Sequence, residues 1–122
     1  LGKELTIEDI KSKIELIHDT FDELLEIKNL SKDELSSIDR ELSNHYHNIE
    51  GSEIKFMTDS HLMIMKLKDI LFFRRDAKIK YMLLESFIGA MERSMTKTKK
   101  RYSEIVDKHQ KIKREIINRA TD

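Results

Sequence analysis

The sequence contains no cysteine, no proline and no tryptophan, and only three glycines in 122 residues. Without cysteine there is no disulfide framework, no thiolate metal site and no cysteine nucleophile, and the composition favours a reducing compartment. Without proline, and with so little glycine, collagen-like, mucin-like, linker and turn-rich all-β chains are excluded, because each depends on those residues. Long apolar runs are missing too. The longest, at 62–65 and 70–73, fall far short of the ~18 residues a membrane span requires. What is present favours helix: 38% of the residues are charged and 39% hydrophobic, which predicts an all-α fold in a single domain over 1–122.

The formal net charge is zero, but the two halves of the chain carry opposite signs. Residues 1–61 hold 7 basic and 15 acidic residues, and residues 62–122 hold 16 basic and 8 acidic ones. Either the acidic half folds back on the basic half, or each is reserved for an outside partner. The first reading is favoured, since acidic helices followed by a long basic one form an antiparallel arrangement with complementary faces.

Thr6 followed by Asp9 forms a capping-box pattern, with Leu5 and Ile10 set to staple it. Ile7, Ile10, Ile14, Ile17, Phe21 and Leu24 then recur at helical spacing, which predicts a helix over 6–28. Ser31 with Glu34 reads as a second cap. Leu35, Ile38, Leu42, His45 or Tyr46, and Ile49 carry a second helix over 31–50, up to Gly51 as a left-handed terminator. Residues 52–58 read as a loop, with a new cap at Thr58, Asp59 or Ser60, and only Gly89 interrupts a very long helix over 59–118. The expected architecture is two short helices followed by a very long one, in an antiparallel bundle whose C-terminal part is a coiled coil.

That coiled-coil reading rests on Leu84, Ile88, Met91, Met95, Thr98, Tyr102, Ile105, His109, Ile112 and Ile116, which alternate steps of four and three. At ~1.5 Å per residue the third helix reaches about 90 Å, more than two short helices cover. A second copy is the natural cover, which predicts a homodimer or higher oligomer with Leu84, Ile88, Met91, Tyr102, Ile105, Ile112 and Ile116 in its seam.

Sites of chemistry are sparse. His45, His47, His61 and Glu50 are of metal-ligating type, but His45 and His47 point about 200° apart on a helix, and no metal site is expected. The single Glu15-x-x-His18 is half of what a di-iron bundle needs. Paired carboxylates such as Asp22 with Glu26 lie in acidic helical surface, and no phosphate loop, nucleophile elbow or dinucleotide fingerprint occurs. Neither an enzyme nor a cofactor is expected. The basic C-terminal helix, with Lys97, Lys99, Lys100, Arg101, Lys108, Lys111, Lys113 and Arg114, is able to track phosphates, but Glu104, Asp107 and Glu115 interrupt it, so nucleic acid is the less favoured reading.

Arg74, Arg75 and Lys78 differ, because their charges are embedded in the most apolar part of the chain, beside Phe72, Phe73 and Tyr81. With Asn44, Tyr46 and His47 presented from the preceding helix, they make a candidate anion site: cations serve the phosphates of a nucleotide, and rings stack on its base. The structural alternative pairs these cations with Asp39, Glu41 or Glu50.

Two stretches carry a resemblance. Residues 38–50, Ile-Asp-Arg-Glu-Leu-Ser-Asn-His-Tyr-His-Asn-Ile-Glu, followed by residues 67–78, Leu-Lys-Asp-Ile-Leu-Phe-Phe-Arg-Arg-Asp-Ala-Lys, resemble small helical proteins of Firmicute phages and prophages. Those proteins share the order Asp-Lys/Arg-Glu-Leu/Ile-Ser, Tyr-His-x-Ile-Glu and Arg-Arg-x-x-Lys. This chain departs from them at Gly51-Ser52-Glu53, where an Asn-rich turn is usual, and in its long basic C-terminal extension. The resemblance implies a non-enzymatic phage accessory protein in a bacterial cytoplasm. Such a protein would counter a host process by occupying a host protein or by sequestering an anionic, nucleotide-like ligand. The alternatives are a structural coiled-coil subunit and nucleic-acid binding through the basic helix.

Overall fold

The computed structural model describes residues 4–51 and 57–121. Among them there is no strand. Helix α1 spans Ile7–Gly51 (45 residues) and helix α2 spans Met57–Thr121 (65 residues). No helix among the described residues is long and apolar enough to cross a membrane. The start of α1 is the one its sequence predicts. The Asp9 amide donates to Thr6 Oγ1 at 3.1 Å, the Thr6 amide donates to Asp9 Oδ2 at 3.2 Å, and the Ile10 amide makes a first helical bond to the Thr6 carbonyl. Two orphan amides are thereby satisfied, and Glu8 and Asp9 place negative charge at the positive end of the helix.

The break expected at 28–31 does not occur, and with it the layout of two short helices and a long one gives way to two long helices. No proline or glycine lies between Lys28 and Glu34, so nothing forces the chain out of helix. Ser31 does not cap; it is buried on the stripe between Lys28 and Leu35, where a small side chain costs only about 0.5 kcal/mol in propensity. Gly51 likewise closes α1 from inside, since no glycine among the described residues has positive φ. The loop expected at 52–58 lies, for residues 52–56, outside the described residues; α2 begins at Met57, ahead of the expected caps. It runs through Gly89, where an added Cβ meets nothing within 4 Å, so no close approach demands that glycine.

The chain divides into two compact units. In the first, residues 21–88, α1 and α2 run antiparallel, with Asp39 against Arg74 and His45 against Met63. The inward stripe of α1 is Phe21, Leu24, Lys28, Ser31, Leu35, Ile38, Leu42, His45 and Ile49, and that of α2 is Met63, Leu67, Ile70, Arg74, Ala77, Tyr81, Leu84 and Ile88. Both alternate steps of three and four, the spacing that keeps one stripe facing a neighbouring helix. Ile88 is fully buried and Ala77 nearly so.

The second unit joins residues 1–20 to residues 89–122, also antiparallel. Here the inward residues are Lys11, Ile14 and His18 of α1, and Met95, Lys99, Tyr102, Val106 and His109 of α2. Periodicity places Ile10, Ile17, Thr98 and Ile105 on this seam; in the structure each is exposed. Leu84 and Ile88, expected in an interchain seam, belong to the intrachain stripe of the first unit. Ile112 and Ile116 are exposed along with every described side chain from 110 to 120. Leu84 and Ile88 are covered within the chain because α1 runs unbroken to Gly51 and its inward stripe from Phe21 to Ile49 faces that of α2.

Candidate functional site

One member of the predicted anion site, Arg74, is already paired. Arg74 Nε donates to Asp39 Oδ1 at 2.6 Å, so its charge is engaged by one of the carboxylates available to it. Arg75 and Lys78 are exposed and Tyr81 is half-buried on the same stripe as Arg74. Asn44, Tyr46 and His47 lie elsewhere along the unit. Their neighbour His45 reaches the Met63 carbonyl at 3.0 Å, which requires its Nε2 to carry the proton, because a carbonyl only accepts. Met63 is eleven residues from Arg74, about 16 Å along α2. Arg74 and His45 thus have separate partners on the facing helix. His47 faces Glu50 at 3.9 Å, and Lys80 pairs with Asp76 at 2.9 Å, a hydrogen bond that, with the charge of Asp76 and then that of Glu34, raises the Lys80 pKa against the opposing effect of desolvation.

The outer face of α2 in this unit is a different kind of surface. Leu62, Met65, Phe72, Ile79 and Leu83 are all exposed, and their spacing places them on one helical face, opposite the stripe that meets α1. Phe72 and Phe73 stack edge to face with centroids 5.8 Å apart. Asp69 and Asp76 fall on the same face and are exposed.

In the second unit the polar side chains form a connected set. Tyr102 donates its hydroxyl to Glu15 Oε1 at 2.6 Å, and its ring meets that of His18 edge-on at 5.4 Å. His18 is buried and its Nε2 has no hydrogen-bond partner. Two adjacent hollows, of about 350 and 510 Å³, open beside them and share Ile14, Tyr102 and Ile105. Ile10 edges the first, and Ile17, Thr98 and His18 edge the second. Periodicity alone assigns these isoleucines to the seam; the signal for a groove is the recurrence of Ile10 with Ile17, and of Thr98, Ile105 and Ile112, at intervals of seven. Arg101 leans on Glu104 at 3.4 Å and Lys99 is half-buried, so the basic helix does not present all its charges outward.

The Glu15 hydrogen bond, with burial and the charges of Glu15 and Glu8, pushes the Tyr102 phenol from 10.0 up to about 12. The fold holds the protonated form, so this contact contributes its full stability below pH 10 and loses it as pH rises from there through about 12. The melting-temperature difference between the wild type and Tyr102→Phe should therefore be constant below pH 10 and shrink above it. Ultraviolet titration should show a late phenolate step that Tyr102→Phe removes; a wild-type curve unchanged by the substitution would contradict the assignment.

Comparison with protein-family models, curated proteins and solved structures finds no match.

Proposed function

We propose that this is a non-enzymatic binding protein of the phage-accessory type, acting in a bacterial cytoplasm by occupying a partner protein. The supporting observation is the exposed stripe of Leu62, Met65, Phe72, Ile79 and Leu83. A face of large apolar side chains repeating at helical spacing suits a partner that lays a helix along it. It exceeds the scattered apolar exposure normal for a surface. Sequestration of an anionic, nucleotide-like ligand has weaker support, because Arg74 is committed to Asp39 and only Arg75 and Lys78 of its three cations are exposed. Nucleic-acid binding and a purely structural coiled-coil role draw on α2 beyond residue 89, where Lys99 turns inward and the apolar seam is displaced.

The test is affinity capture from bacterial lysate with the full chain and with Phe72→Glu/Leu83→Glu. Both positions are well exposed, so the variant should keep its stability within about 0.5 kcal/mol. Replacing two apolar anchors of the interface by carboxylates should weaken partner binding at least about thirtyfold. A partner retained equally by both proteins would overturn this assignment of the surface.

A further inference from the structure

The second unit is built in an order that a self-sufficient helix pair does not need. Its inward stripe contains Lys11, His18, Lys99, Tyr102 and His109, while Ile10, Ile17, Ile105 and Ile112 lie exposed beside it. Burying aliphatic side chains and leaving cations and imidazoles in water is the cheaper arrangement for two helices alone. This unit does so only in part: Ile14, Met95 and Val106 turn inward, but they share the stripe with two lysines and two histidines, and beside it lie a buried His18 nitrogen that lacks a partner and two hollows at the edge of the pair.

We infer that this groove is one half of a four-helix interface whose other half is a second copy of the chain. The spacing supports it: Ile10 and Ile17 on α1, and Thr98, Ile105 and Ile112 on α2, each repeat every seven residues, the interval at which a facing helix returns to the same contact. Charge selects the occupant. Residues 7–20 of α1 carry four acidic and two basic side chains, and residues 89–121 of α2 carry four acidic and ten basic ones. A partner of one sign complements one edge of the groove and is repelled by the other. A second copy related by a two-fold axis parallel to the helices lays the acidic α1 of each chain against the basic α2 of the other, antiparallel, so that both edges are matched.

Sedimentation equilibrium of the full chain should show a dimer. Ile17→Asp/Ile105→Asp should weaken it at least a hundredfold while helicity is kept, since neither side chain is in the intrachain core. Phe72→Glu/Leu83→Glu, on the other unit, should leave the dimer constant unchanged. The absence of native cysteine permits a second measurement that needs no destabilising change. Ile10→Cys and Ile105→Cys line the same hollow; mixed and oxidised, the two single variants should form mainly the crossed disulfide between chains, because the axis places α1 beside the other copy's α2 and across from its α1. A chain monomeric at every concentration, a dimer dissolved only by the Phe72 and Leu83 changes, or disulfides joining like variants as readily as unlike ones would each overturn the inference.

Discussion

Ile88→Ala should cost about 2–5 kcal/mol of unfolding free energy, among the larger losses expected from a single truncation in this chain. Ile88 has no accessible surface at all, and the structure is short of such positions: Phe21, Ile70, Ala77 and Met95 are the other buried hydrophobic side chains among the described residues. A core this thin has few neighbours able to move in and fill the space left by the lost methyl and methylene groups. Ile88→Val should cost about 0.5–1.5 kcal/mol, and Ile79→Ala, at an exposed position of the same helix, should remain within about 0.5 kcal/mol. Urea unfolding followed by circular dichroism reads all three. If Ile79→Ala were as costly as Ile88→Ala, the stripe facing α1 would be wrongly assigned.

Enlarging Ala77 should also be damaging. Ala77 is only 2% exposed and lies on the stripe between Arg74 and Tyr81, so the space beside it is already taken by α1. Ala77→Leu asks for a volume that is absent, and the helices must part or the new side chain must leave its preferred rotamer, for about 1–3 kcal/mol. The Arg74 to Asp39 bond, three residues away, would be strained by the same separation. The control is Ala90→Leu, at an exposed position of α2, where the change should be close to neutral. A destabilisation at both positions would place the cause in helix propensity and not in packing.

Much of this fold was legible without coordinates. The lack of proline and the three-and-four recurrence of apolar residues predict helix throughout, and Thr6 with Asp9 predicts where α1 begins. The join between residues 28 and 31 was not legible, because Ser31-x-x-Glu34 is a sound local cap and only tertiary burial of Ser31 overrides it. The half-step displacement in the second unit was illegible for another reason. Hydrophobicity ranks Ile10 above Lys11 and Ile105 above Val106, but the facing position is decided by the direction of the whole helix, and a lysine stem tolerates partial burial. At the candidate site, pairing of Arg74 with a carboxylate of the preceding helix was foreseeable as a type. Its choice of Asp39 over Glu41 or Glu50 follows from antiparallel register, which no short motif records.

The antiparallel pairing also imposes an order in time. Asp39 and Arg74 are separated by 35 residues, whereas Glu15 and Tyr102 are separated by 87. Closing the longer span costs only about 0.8 kcal/mol more in chain entropy when the contacts form independently, but during synthesis the difference is absolute. The segment that faces residues 1–20 begins at Gly89, so Ile14 and His18 of α1 wait for their facing helix until residues 21–88, which already hold both halves of the other unit, have been made.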